Sequence, residues 1–458
     1  MPDRELDLGR PMAVHIVAIG GAGMSAIATV LHGLGHRVTG SDLRPSPVLD
    51  RLAAMGMDAH VGHDAHHVGD VDLVTVSSAV PHDNPEVVEA ERRGIPVWSR
   101  SRILTAITRL RRTVAVAGTH GKTTTSSMLY LVLREAGLAP SCIIGGDVKD
   151  IGTGAVWDTG DLLVVEADES DGTFVELSAA AAVVTSVEPD HLEHYGGFDA
   201  LRATFARFVE QAGPVRVVCA DDTDAAALAA ATGAITYGTA DGADFRITDL
   251  ELGRTSSAFR VVRAGTDLGR VELPVAGLHN VRNAAAALAT GVLLGAPFDA
   301  AVRALARYGG VARRFEFRGE RDGVTFVDDY AHLPTEVASA LAAARDGDWG
   351  RIVCVFQPHR FSRTASLAPE FAHAFDDADV VAVTEIYSHG ELPRPGVSGK
   401  LVLYAAIDAH PGRRVAWLPT RADLVTFLRR ELRPGDLCLT LGAGDLTTLP
   451  DELLAGGG

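Results

Sequence analysis

The chain has 458 residues, 47% of them hydrophobic, which is enough for about three domains that fold without covalent staples. Its formal net charge of −17 argues against nucleic acid and against an anionic membrane surface as partners. The four cysteines, Cys142, Cys219, Cys354 and Cys438, stand far apart in apolar runs with no CxxC spacing, which argues against zinc and dithiol motifs and for buried thiols in a reducing cytoplasm.

No long apolar stretch precedes Gly20, so neither a signal peptide nor a membrane span is expected. Short apolar runs alternate with longer amphipathic ones, the pattern of an α/β protein with parallel sheets. The first strand is expected at Val14–Ile19. It leads into the Gly-rich turn Gly20-Gly21-Ala22-Gly23-Met24-Ser25 and a helix to about Leu34. Such a turn lets a pyrophosphate approach a helix N-terminus, so Gly20, Gly21, Gly23, Met24 and Ser25 are candidates for a sugar-nucleotide site. A second strand near Arg37–Thr39 ends at Asp42, whose carboxylate can take a ribose hydroxyl or a base edge. Ser77 and Ser78, at the end of the strand Leu73–Val76, can add hydroxyl donors to the same phosphates.

The strand Val114–Ala117 is followed by Gly118-Thr119-His120-Gly121-Lys122-Thr123-Thr124 and then a helix with Met128, Leu129, Val132 and Leu133 on its apolar side. Strand, loop and helix in that order make a phosphate cradle. Its backbone N–H groups close around phosphate, Lys122 reaches the β- and γ-phosphates, and Thr123 offers a hydroxyl to Mg²⁺. The loop departs from the common pattern at position 116, which is valine. Four acids in Glu166-Ala167-Asp168-Glu169-Ser170-Asp171 follow the next strand and repel one another unless a cation relieves them, which suits a hard ion such as Mg²⁺. Asp190 and His191 end a further strand, where His191 is either structural or close to the same metal.

Asn280 and Asn283 are three apart at the start of a helix, where two amides either read an adenine edge or cap the helix. The stretch 241–274 reads as hairpin-rich extended chain. A third region opens near Gly319. Its strands end in Asp328-Asp329-Tyr330-Ala331-His332, in Gln357-Pro358-His359-Arg360-Phe361-Ser362-Arg363 and in Gly442-Ala443-Gly444-Asp445. Arg360 and Arg363 form a pair of forks suited to a carboxylate or phosphate.

These segments occur together in the order IGGAGMS, SSAVPHDNPE, GTHGKTTT, EADESD, EPDHLEHY, HNVRNA, RRFEFRG, DDYAHLPTE, QPHRFSRT, PGVSG and GAGD. In that order they resemble the Mur ligase family over nearly the whole chain. The resemblance implies an N-terminal Rossmann-like domain for the UDP moiety over residues 1–110, a central P-loop ATPase-like parallel sheet over 111–318 and a C-terminal Rossmann-like domain over 319–458. It implies an ATP-dependent ligase that joins L-alanine to the muramoyl carboxylate of UDP-N-acetylmuramate through an acyl phosphate, as a monomer or homodimer. Lys122 and Thr123 then serve the ATP phosphates and Mg²⁺, and Glu169 and His191 fall on metal-binding positions. Asn280 and Asn283 match the adenine-binding pair, and Arg314 and Asp329 match nucleotide contacts. His332, Arg360 and Arg363 match the region that holds the amino acid, with His332 a candidate proton acceptor. Ala18 stands where the family usually has a glycine, and Leu333 where it usually has a second histidine. No lysine lies between His191 and Val217, so no carbamylated lysine is expected. The working parts fall on three domains, so domain closure is expected before chemistry.

Other classes give different expectations. A recycling ligase would attach a preformed tripeptide to the same sugar nucleotide. The first loop alone would suit a nicotinamide-dependent dehydrogenase, and the phosphate loop alone a nucleotide-switch module.

Overall fold

The computed structural model describes residues 6–77, 79–388 and 390–455. Alternation of apolar strands and amphipathic helices is realised as three sheets. The first is fully parallel, with strands β1 (Ala13–Val17), β2 (Arg37–Asp42), β3 (Asp58–Val61), β4 (Leu73–Val76) and β5 (Val97–Ser99) in the order 3-2-1-4-5. The order reverses at β1, so the turn after β1 opens at the switch point where α/β sheets receive ligands.

The second sheet has ten strands: β6 (Arg112–Ala117), β7 (Ser141–Val148), β8 (Thr153–Val156), β9 (Leu162–Glu166), β10 (Ala179–Val184), β11 (Val215–Cys219), β12 (Ile235–Gly238), β13 (Phe245–Leu252), β14 (Ser257–Arg263) and β15 (Thr266–Leu273). Their order is 15-14-13-12-11-10-6-9-7-8. The central strands are parallel and carry near-continuous apolar residues, as strands covered on both faces must. The three strands β13–β15 occupy the stretch expected to be hairpin-rich. The third sheet holds β16 (Glu316–Arg321), β17 (Val324–Asp329), β18 (Arg351–Phe356), β19 (Val380–Val383), β20 (Arg414–Trp417) and β21 (Asp436–Leu441) in the order 16-17-21-18-19-20. Only its edge pair β16–β17 is antiparallel.

The chain forms two compact units. One comprises residues up to 250 together with 259–272 and 281–309, and the other comprises 251–258, 273–280 and 310 onward. In the first unit the helix Ala22–Gly33 shares one apolar core between the first two sheets, with Ile27 and Leu31 beside Ile143, Leu163 and Val165. The second unit has an apolar layer on each face of its sheet, around Phe356 and Phe375 on one side and Leu424, Leu428 and Leu449 on the other. All four cysteines are buried in strands, and burial pushes the thiols of Cys142 and Cys438 up to about 12. They are inert core residues.

Candidate active site

In the second sheet β6 lies between β10 and β9. Parallel pairing therefore brings three strand ends to one edge: the phosphate loop after β6, the acidic run after β9 and the Asp190–His191 segment after β10. The loop is clasped from the β10 side. Thr119 N–H donates to Ser186 O (3.1 Å), His120 N–H to Ser186 Oγ (3.0 Å) and Glu188 N–H to Thr119 Oγ1 (2.9 Å). His120 Nε2 lies 3.3 Å from Glu188 Oε2.

The helix Lys122–Glu135 starts immediately after the loop, and its first backbone N–H groups have no partner within the helix. That is the donor set a phosphate needs. Gly121 precedes it at φ +77°, and a Cβ there would collide with Asn283 Oδ1. Gly121→Ala is therefore expected to cost about 1–2 kcal/mol through the left-handed backbone alone. It should also weaken ATP binding, and urea unfolding with nucleotide titration checks both.

Lys122 is folded onto the site, with Nζ donating to Gly118 O (2.6 Å), Thr119 O (3.2 Å) and Glu169 Oε1 (2.8 Å). Burial disfavours its charge, but Glu169, then Glu166 and Asp168, more than offset that and hold its pKa above the usual lysine value. Burial pushes the Glu169 carboxyl upward, with Lys122 pulling the other way. Thr123 Oγ1 donates to Glu166 Oε1 (3.1 Å), whose other oxygen takes Gly145 N–H (2.8 Å). Arg100, from the helix Arg100–Thr108, lies 3.5 Å from Asp168. Thr124 is buried in the first turn, and Thr125 donates to Asn283 Oδ1 (3.2 Å).

His191 sits in the left-handed region at φ +53° and caps the short helix Leu192–Tyr195. Its ring lies 3.4 Å from Asp190. Tyr195 at the end of that helix donates to the Glu169 carbonyl, so this segment and the acidic run are neighbours. Whether the side chains can hold a divalent cation is answered by Glu169. Its Oε2 is buried without a hydrogen-bond partner among the described residues. A buried carboxylate oxygen with an open lone pair, in the same acidic run as Glu166 and Asp168, is a donor a hard cation prefers.

In the first sheet, Ala18 takes the left-handed conformation at φ +63° that the family's usual glycine would adopt freely, so the turn is made with alanine at some backbone cost. Gly20 N–H donates to Asp42 Oδ2 (3.0 Å), and a Cβ at Gly20 would lie 2.8 Å from that oxygen. Asp42 thus braces the turn and retains lone pairs for another donor. A Cβ at Gly23 would meet Arg100 Nε at 2.9 Å. Met24 packs in the core and Ser25 donates to Ala22 O, so these two face inward. Ser77 Oγ accepts Ala79 N–H, and Ser78 lies outside the described residues.

The other unit gathers its own group at the C-terminal ends of β17 and β18. Asp329 accepts N–H groups of Phe315 and Ala331, both at 2.7 Å. Burial, only partly offset by Arg314, raises its pKa to about 6. Tyr330 lies under the guanidinium groups of Arg313 and Arg314. His332 is held by Glu336, which accepts its N–H and lies 3.2 Å from its ring. Burial lowers the His332 pKa, so the ring is neutral and able to accept a proton near pH 7. His332 meets His359 edge to face, and His359 contacts Arg363 (3.0 Å) and stacks on Tyr387. Arg360 has φ +66° and a buried Nε without a hydrogen-bond partner among the described residues, a donor suited to an anionic ligand. Asn280 is buried and donates to Ala276 O (2.7 Å).

The clasp by Ser186 and Glu188, the hold of Glu166 on Thr123 and that of Arg100 on Asp168 do not follow from the sequence pattern. Strand order brings Ser186, Glu188 and Glu166 to the loop, and packing of the helix Arg100–Thr108 brings Arg100; periodicity carries neither.

Comparison with known proteins bears on all three regions. Residues 13–112 match the model described as the Mur ligase family catalytic domain, 116–291 the Mur ligase middle domain and 313–444 the Mur ligase glutamate ligase domain. The chain is 49% identical to the UDP-N-acetylmuramate–L-alanine ligase of Kineococcus radiotolerans, over 98% of this chain and 96% of that one. It is 46% identical to the enzyme of that name from Anaeromyxobacter sp. Fw109-5, over 97% and 98%. Among solved structures it is similar to the UDP-N-acetylmuramate–alanine ligase of Thermotoga maritima, with TM-score 0.82 and 29% identity over 97% and 98% of the two chains. The murein peptide ligase of Psychrobacter arcticus shares the fold, with TM-score 0.70 and 24% identity over 97% and 98%.

Proposed function

The chain belongs to the Mur ligase family, and on that premise we propose how its residues carry an ATP-dependent ligation. The reaction joins the carboxylate of UDP-N-acetylmuramate to the amine of L-alanine at the expense of ATP, a step in peptidoglycan precursor synthesis. The observation that carries it is identity of 49% over 98% of the chain to a ligase of that name, together with an intact phosphate loop at the shared edge of β6, β9 and β10.

A carboxylate is a poor acyl donor because oxide is a poor leaving group. One carboxylate oxygen attacks the γ-phosphorus, the bond to ADP breaks, and the acid becomes an acyl phosphate. The amine of L-alanine then attacks the acyl carbon, phosphate leaves with that oxygen, and the amine gives up its protons. Two anions must meet in the first step. Lys122 and the N–H groups opening the helix Lys122–Glu135 offset that repulsion and stabilise the phosphoryl oxygens as they move. Mg²⁺, held by Glu169 with Thr123 and His191, would supply further neutralisation of phosphate charge.

The turn after β1, with Gly20, Gly21 and Asp42, receives the UDP moiety. Asn280 and Asn283 address the adenine, and Arg314 and Asp329 the nucleotide. Arg360 and Arg363 hold the alanine carboxylate, and neutral His332 accepts or orients an amine proton. The substrates place the reaction in the cytoplasm. Among the described residues no helix is long and apolar enough to cross a membrane.

The test is phosphate release with UDP-N-acetylmuramate, ATP and an amino-acid panel, with ¹⁸O in the sugar's carboxylate. Turnover with L-alanine and transfer of label into phosphate are expected. Turnover with tripeptide but not with L-alanine would overturn the substrate assignment, and unlabelled phosphate would overturn the acyl phosphate.

A further inference from the structure

Apart from the ligation machinery, one cluster of ligand-bearing side chains is arranged as a metal chelate. His373 follows the 3₁₀ turn Ala368–Ala372, Asp376 lies three residues on, and His410 follows the helix Lys400–Ala409. Ligand atoms of the three lie within 4.8 Å of one another, and no other such group occurs among the described residues. His410 Nε2 is 2.7 Å from Asp376 Oδ1 and 3.3 Å from His373 Nδ1, and His373 Nδ1 is 3.4 Å from Asp376 Oδ2.

Two of those separations are close to the edge of a coordination polyhedron, and the third, His410 to Asp376 at 2.7 Å, has to open by about 0.6 Å to admit an ion. Four ligands around zinc at about 2.0–2.1 Å lie about 3.3 Å apart along a tetrahedral edge. Two imidazoles and one carboxylate are a borderline donor set that suits zinc and its first-row neighbours; Mg²⁺ prefers oxygen alone. We propose that His373, Asp376 and His410 bind one zinc-like divalent transition metal ion, with water in the remaining position.

The frame is already set before any ion arrives. Asp376 N–H donates to His373 O (3.3 Å), and Arg413 N–H donates to His410 O (3.0 Å). Arg413 also donates to the Asp376 carbonyl (3.2 Å) and lies 3.3 Å from Asp376 Oδ1. Phe371 and Phe375, on either side of His373, are buried in the core. The guanidinium of Arg413 tempers the affinity for a cation, so the ion is exchangeable rather than a condition of folding.

The cluster sits away from the chemistry. Asp376 and His410 precede the N-terminal ends of the parallel strands β19 and β20, whereas Asp329 and Arg360 follow or occupy C-terminal ends. The ion would tie two loops of the second unit together without touching substrate.

The test uses the full-length, tag-free protein, stripped with chelator and titrated with Co²⁺ read by visible absorbance, then displaced by Zn²⁺. One equivalent with the spectrum of tetrahedral cobalt is expected. His373→Gln and His410→Gln should each weaken binding by about tenfold or more, the loss that even an outer partner of a metal ligand can produce. Both side chains are partly exposed, so both variants should keep ligase activity. Zinc should raise the unfolding temperature of the parent protein more than that of either variant. The proposal fails if the parent binds no metal at about 100 μM, a generous limit for such a site. It fails equally if the variants titrate as the parent does.

Discussion

Lys122→Ala is expected to remove detectable amide formation while leaving UDP-N-acetylmuramate binding largely intact. Lys122 touches the phosphate loop at two carbonyls and the acidic run at Glu169. Its ammonium is already desolvated there, so its attraction for a moving phosphoryl group is not diluted by water. Loss of a preorganised electrostatic donor costs roughly 10²–10³ in kcat, and loss of the charge that meets two anions should exceed that. Retained turnover would remove the loop from the mechanism.

The same substitution reports on stability. Glu169 is 2% exposed, and without Lys122 its carboxylate is buried with no cation in contact among the described residues. Breaking a buried pair on one side costs about 3–5 kcal/mol, whereas removing both partners can be close to neutral. Lys122→Ala should therefore be less stable than Lys122→Ala combined with Glu169→Ala, as urea unfolding would show. A double variant no more stable than the single one would mean that the pair is not energetically coupled. Saturating Mg²⁺ should narrow the deficit of the single variant if Glu169 takes up the ion.

What the sequence made legible was the chemistry carried by local order. A strand, a Gly-rich loop and a helix in succession identify the phosphate cradle at Gly118–Thr124, and an apolar run ending in acids identifies the partner strand end at Glu166–Asp171. The structure puts them side by side because β6 pairs with β9. The folding of the four cysteines into strands was legible for the same reason, as each lies in a short apolar run. What stayed hidden was set by strand order and by tertiary hydrogen bonding. Ser186 reads as an ordinary residue after a strand until β10 is placed against β6. Met24 and Ser25 sit in a motif that suggests ligand contact, yet the helix that begins there turns both side chains inward. The left-handed backbone at Ala18 and Arg360 leaves no trace in composition, because neither is a glycine. Glu86 is the clearest case, since nothing about an acid in a helical segment says that it will be fully buried.

Glu86 opens the helix Pro85–Arg92 and is 0% exposed, and its replacement by alanine is expected to be the most damaging change in the first sheet. Its Oε2 accepts from Ser41 (2.6 Å) and lies 3.3 Å from His63 Nδ1 and 3.7 Å from His15 Nε2. Its Oε1 lies 3.0 Å from His67 Nδ1 and accepts Asp64 N–H (3.3 Å). Burial alone would raise its pKa, but His15, Ser41 and His67 overcome that and bring it to about 2. The folded pKa lies below the ordinary value of 4.5, so the stabilisation is fully present above about pH 4.5 and is lost as the pH falls toward 2. A shift of that size corresponds to about 3 kcal/mol. Glu86→Ala leaves several buried donors without an acceptor and should cost about 3–5 kcal/mol at pH 7.5. Glu86→Gln keeps the shape and one acceptor, so it should cost less, and its deficit relative to the parent should shrink between about pH 4.5 and 2. Ser41 immediately precedes Asp42, which braces the turn at Gly20, so Glu86→Gln should also raise KM for UDP-N-acetylmuramate more than it lowers kcat. Urea unfolding across that pH range and steady-state kinetics provide the check; a Glu86→Gln deficit that holds constant with pH would show that folding does not lower the Glu86 pKa.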